Sequence, residues 1–239
     1  MVSKAGLACL FILALSSPAL AQSLEVNLGD GGLSLQSVQL FLILTLLSLA
    51  PGIAMMVTCF PFMVIVLSIM RQAIGVQQAP PNMMIVSLAL FLTWFVMAPV
   101  FNLAWAEGVV PYLEDSIDMQ TAIDRTLAPF RVFMEGRVQV ETVDLMLQSA
   151  KQTVALDGEL PLSVLVPSFL LSEIQRGFEI GFLIFLPFLV IDLVIAAVLM
   201  SMGMMMVPPA IVALPFKLAF FVIADGWSLI AGALVSSYS

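Results

Sequence analysis

Apolar residues run almost unbroken through four stretches of this chain: 35–70, 83–106, 181–202 and 210–224. The punctuation between them is short and polar, or rich in glycine and proline. Residues 107–166 read differently. There the apolar positions return at helical spacing, as in Ile117, Ile123 and Leu127, then Val143, Leu147 and Val154, with Leu156-Asp157-Gly158-Glu159 as a turn. Pro167 is expected to open an amphipathic helix that passes into the apolar run from Gly181, and the residues after Ala224 read as a mixed tail. The pattern predicts an all-α, membrane-associated protein with two apolar helical hairpins, 35–106 and 180–239, and a helical region, 107–179, between them.

The two hairpins share a turn. Gly75-Val-Gln-Gln-Ala-Pro80-Pro81 and Gly203-Met-Met-Met-Val-Pro208-Pro209 both read Gly, four residues, Pro-Pro, each between apolar runs. Such residues break a helix and free backbone groups that hydrocarbon does not satisfy, so a break of this kind belongs against protein or beside water. Five methionines lie between Met200 and Met206. Unbranched, polarizable thioethers re-pack easily, which suits a seal around something variable as well as it suits plain core packing. Gln77 and Gln78 make the first turn unusually polar. They read either as a solvated turn or as amides lining a pore or meeting a partner.

Composition places this pattern in or against a membrane: 62% of residues are hydrophobic, 10% are charged, and the mean hydropathy is +1.13. No charge falls between Asp30 and Arg71, nor between Arg71 and Glu107. Of a net −8, residues 107–179 hold −7, from twelve acids against five bases. That block suits neither nucleic acid nor a cytoplasmic loop. At the other end, Lys4, the apolar core Leu7–Leu15 and Ala19-Leu20-Ala21 form a signal peptide over residues 1–21, followed by an exported lead-in over 22–34. Its apolar core is short for an uncleaved first span. Cleavage leaves Cys59 alone, a small buried hydrophobe.

Catalytic chemistry finds no foothold. Histidine is absent, and no metal-binding, phosphate-cradling or nucleophile motif occurs, so neither an enzyme nor a cofactor is expected. The acids of the last apolar runs are Asp192 and Asp225; either could pair with Lys217 once the hairpin folds back, as a structural ion pair or as a proton relay. Glu173 and Arg176 offer close charges near a helix start. Glu173 suits first-turn stabilisation or a contact with a neighbouring subunit. Nine of fourteen prolines lie in or at the edges of apolar runs, Asp192 falls mid-run, and Pro215 and Lys217 fall within the last. These are poor lipid-facing spans, better buried against other subunits.

Several long motifs carry a resemblance. Val64–Asn82, Ser172-Glu173-Ile174, Gly181-Phe182, Ile184–Leu193, Met202–Pro209, Leu214–Lys217 and Asp225-Gly226-Trp227 together resemble the FliP family of flagellar biosynthetic proteins. The likeness extends from Leu49 to Trp227, and the length and signal peptide agree with it. Injectisome export proteins share many of these motifs but generally lack the signal peptide and lead-in. The resemblance implies a homo-oligomer that joins FliQ and FliR, with FlhA and FlhB as further partners, in the export gate of the bacterial inner membrane. It implies hairpins wound into a helical, conical assembly raised toward the periplasm. A methionine gasket would close that channel until unfolded flagellar subunits cross it. Carried onto this chain, the gasket is Met204, Met205 and Met206, freed by Gly203, and Glu173 takes the family's acidic position. Many relatives also carry a base after the Phe-Thr of the first run. Here Cys59-Phe60-Pro61-Phe62-Met63 is uncharged.

Overall fold

A computed structural model describes residues 35–76, 79–150, 160–204 and 206–238, and the regular elements among them are all helical. The signal peptide, the lead-in, Gln77, Gln78, Met205 and the turn at 156–159 lie outside the described residues. The chain divides into two compact units, residues 1–49 and 50–239. Helix α1, Leu35–Met56, supplies the described part of the first, and its large apolar side chains between Val38 and Leu49 are exposed.

The second unit is organised around α2, Phe60–Ile74. Pro61 stands in its first turn, where its missing N–H would have no intrahelical partner in any case. Phe62, Met63, Val66, Leu67, Met70, Ala73 and Ile74 are buried, and the other residues of the helix are partly buried except Gln72, which is exposed. A helix apolar nearly all round requires covering on several sides. The cover comes from α3, Asn82–Ala104, and from α7, Leu162–Ser201. On α7, a Cβ added at Gly177 would come within 3.0 Å of Ile65, and one at Gly181 within 2.4 Å of Ile69. These two glycines, one turn apart, let α7 lie directly on α2.

Helix α3 continues through Pro99 and closes with a π-helical turn, Trp105–Val109, before the short α4, Val110–Leu113. The acidic region then forms α5, Met119–Glu135, and α6, Val140–Ala150. Asp118, fully exposed, stands before α5, and the Thr121 hydroxyl donates to its carboxylate at 2.5 Å, which holds the Asp118 carboxyl below its ordinary range.

Helix α7 corrects the expected start at Pro167. It begins a turn earlier, at Leu162, because Val164, Leu165 and Phe169 bury themselves, the last two beside Met134. That packing outweighs the hydrogen bond lost at Pro167. The helix also runs straight through residues 179 and 180, so the acidic region and the second apolar run are joined by one rod. Its 40 residues correspond to about 60 Å, roughly twice a bilayer's hydrocarbon core. After the methionine loop come α8, Pro209–Ile223, and α9, Gly226–Ser236, meeting at 61°. The expected mixed tail is thus helical, and Ile230 and Leu234 bury it on the core. Among the described residues three helices are long and apolar enough to cross a membrane, or four if α8 and α9 count as one bent span.

Candidate functional site

The two Gly-x4-Pro-Pro turns form the ends of the two hairpins. Gly75 (φ 86°) closes α2 by donating its N–H to the carbonyls of Arg71 and Gln72, and Pro81, extended, stands before α3. Arg71 Nη1 donates to the Pro80 carbonyl at 3.4 Å and to Asn82 Oδ1, tying both sides of the turn together. Gly203 (φ 74°) closes α7 in the same left-handed manner. Its N–H donates to the Met200 carbonyl at 3.0 Å, and that of Met204 to Leu199 at 3.0 Å, a paired closure that satisfies the last carbonyls. Pro208 is extended and Pro209 begins α8. Among the described residues, nothing lies within 4 Å of a Cβ placed on Gly203. Met204 is 41% exposed and Met206 98% exposed. Among the described residues, nothing covers the Met206 thioether.

Beside the first turn sits Lys217, on α8, only 6% exposed. Its ammonium donates to Asp192 Oδ2 at 2.5 Å and to the Ala73 carbonyl at 3.1 Å. Asp192 belongs to α7 and Ala73 to the last turn of α2, so one side chain joins three helices. Lys217 Nζ is also 3.9 Å from the position a Cβ on Gly75 would take. Asp192 Oδ1 is buried without a hydrogen-bond partner among the described residues. Of the two acids expected near Lys217, Asp192 is therefore its partner. Asp225 lies at the α8–α9 bend in left-handed geometry (φ 47°), and its side chain makes no cap bond there.

Higher on α7, Glu173 is fully buried. It is the twelfth residue of its helix, which corrects the first-turn reading: it lies about three turns from the N-terminus of its own helix. Arg137 Nε donates to its Oε1 at 3.1 Å, and the Tyr238 phenol donates to its Oε2. Ser172, beside it, accepts the Gln139 N–H at 3.0 Å and meets the Thr142 hydroxyl at 2.8 Å. Ser172 and Glu173 together dock the α5–α6 connection onto α7. Arg176, three residues on, makes no ion pair among the described residues. Cys59, fully buried nearby, has its thiol pushed up to about 12, chiefly by burial, and packs as an apolar group. The same burial covers Phe62 and Met63, where an unpaired base would be costly.

Comparison with known proteins decides the kinship of these motifs. The sequence profile of the FliP family matches residues 43–234. The chain is 49% identical over 240 residues to the flagellar biosynthetic protein FliP of Caulobacter vibrioides, covering 98% of this chain and 88% of that one. It is 48% identical over 213 residues to that of Agrobacterium fabrum, covering 88% and 87%. The identity to that of Rhizobium meliloti is 47% over 234 residues, covering 95% and 96%. The chain belongs to the FliP family. On this FliP-family chain, Met204 lies just past the end of α7 and the buried Glu173 in its first half.

Three residues of this arrangement escape sequence reading. Arg137 is one of five bases in the acidic region, with nothing local to single it out. Tyr238 falls in what reads as a mixed tail, 65 positions from the carboxylate it meets. Gly177 forms a Gly-x3-Gly pair with Gly181, a helix-contact signal present in the sequence.

Proposed function

We propose that this chain is a core subunit of the flagellar type III export gate, forming with FliQ and FliR a closable channel for unfolded flagellar subunits. FlhA and FlhB are its further neighbours. It resides in the bacterial inner membrane at the flagellar basal body, in contact with lipid and with a large portion on the periplasmic side. In this reading several copies assemble, and Met204, Met205 and Met206 from each converge into a gasket. The observation that carries the proposal is the exposed thioether at Met206, on a helix break opened by Gly203, between two apolar helices of a FliP-family chain. Flexible thioethers close around side chains of many sizes, which a uniquely packed core does not. The names of the relatives favour the flagellar system over an injectisome. Work for translocation comes from partners, and the chain acts as a passive conduit.

The mechanism follows from the geometry. Lys217 ties α8 both to Asp192 of α7 and to the end of α2, so the helices flanking the loop are held together. Closure then depends on side-chain packing among copies, and opening requires only re-packing of unbranched side chains. Deleting Met204–Met206 in the native background, with assembly followed on native gels, tests this. An assembled complex that leaks ions supports the gasket. An assembled complex that stays tight overturns it.

A further inference from the structure

The gate reading leaves the end of the second hairpin unused, although its contacts are among the most buried in the chain. Helix α9 leaves the bend at Asp225, buries Ile230 and Leu234, and delivers Ser237 and Tyr238 to the upper core. There Arg137 Nη1 donates to the Ser237 carbonyl at 2.9 Å, and its guanidinium carbon lies 4.0 Å from the centroid of the Tyr238 ring. The ring meets Phe62 edge-on at 5.5 Å and stacks with Phe133 at 6.0 Å. A fully buried carboxylate needs donors on both oxygens. Arg137 serves one oxygen of Glu173, and the Tyr238 phenol serves the other. Burial, and next the charge of Glu173, push the phenol far above its ordinary range, so it stays protonated and remains a donor.

We propose that Tyr238 is a positioning residue for the gate: its phenol, seated on buried Glu173, latches α9 to the core and thereby sets the angle of the arm that descends to the methionine loop. The arm, residues 209–238, is held at Lys217 near the loop and at Tyr238 far from it, with the 61° bend between. Beyond the bend, Ile230, Leu234 and the Arg137–Ser237 bond already seat the arm on the core, and the phenol fixes its last turn against the carboxylate, which removes the remaining rotation about Lys217. For its effect on the loop the inference rests on the gate reading above; the latch itself does not.

The test uses the full chain in its native membrane complex, with a maleimide reporter at Ala231→Cys, a position packed on the core. In a Tyr238→Phe background, which keeps the ring and removes only the hydroxyl, reporter labelling rises about tenfold or more, the worth of a hydrogen bond to a buried charge. Ion leakage rises with it, although every methionine is intact. Unchanged labelling overturns the latch. Raised labelling without leakage, in complexes where deleting Met204–Met206 does leak, overturns the positioning role. If that deletion also fails to leak, the gate reading falls while labelling still decides the latch. Where Tyr238→Phe does not assemble, labelling of the membrane-inserted chain separates the same two outcomes: a rise supports the latch and no change overturns it. A thermal double-mutant cycle adds a second arm: Tyr238→Phe costs little once Glu173→Gln is present, and fully additive losses overturn the bond.

Discussion

The two turns share a sequence pattern and a backbone device, yet one is tied and the other is free. Gly75 and Gly203 both take left-handed conformations that close an apolar helix, and each is followed within a few residues by an extended proline. Around Gly75, Arg71 clasps Pro80 and Asn82, and Lys217 approaches from another helix. Among the described residues, none comes within 4 Å of a Cβ on Gly203. The helix before the first turn is buried along its length, whereas most large side chains of α7 between Phe182 and Met200 are exposed. The difference teaches that the local motif specifies only a reversal of direction. Whether the turn is an anchor or an uncovered edge depends on which long-range side chain reaches it.

The most severe way to break the contrast is Lys217→Met, which turns the anchored end into a second free one. Removing one member of a buried pair costs about 3–5 kcal/mol, and the partial exposure of Asp192 lowers this to about 2–3. Thermal unfolding of the assembled complex measures it, and a loss below about 0.5 kcal/mol would show that the anchor is no anchor. Next come Gly75→Ala and Gly203→Ala. Each imposes a left-handed strain of about 1–2 kcal/mol, since neither new Cβ would meet an atom closer than 3.8 Å. At Gly75 the strain enters global stability because the turn is fastened. At Gly203 it relaxes locally and appears as altered leakage, so equal melting losses for the two variants would erase the distinction. Smallest in stability is Met206→Ser: at 98% exposure its effect on folding stays within about 0.5 kcal/mol, while leakage through the assembled complex rises.

Much of this architecture is legible in the sequence because hydrophobic runs, prolines and glycines are local signals. The two turns and the helical character of the acidic region can be read one segment at a time, whereas the apolar run 35–70 reads as one stretch and the fold divides it into α1 and α2. Lys217 and Asp192 are legible as partners because charges are so rare in the last apolar runs that each has few candidates. Pro167 misleads for a physical reason: its breaking tendency is local, and the burial of Leu165 and Phe169 against a residue thirty or more positions away overrides it. Arg137 and Tyr238 are illegible for the same reason carried further. Nothing near either residue distinguishes it, and only the folded chain brings guanidinium, carboxylate and phenol to one place. The candidate site therefore divides into a loop that its own sequence announces and clamps that only the fold assembles.

Helix α7 has a geometrical consequence of its own. From Glu173, held by Arg137 and Tyr238, to Ser201 at its last turn the helix extends 28 residues, about 42 Å. Asp192, clamped by Lys217, stands 19 residues along this stretch, about 28 Å, so the helix is held twice and only its last nine residues, about 14 Å, extend past the second hold. A tilt of about 5° about Asp192 would displace the last turn by only about 1 Å, by the same rise per residue. The place at which α7 hands the chain to the methionine loop is thereby set by one lysine reaching across from the returning helix.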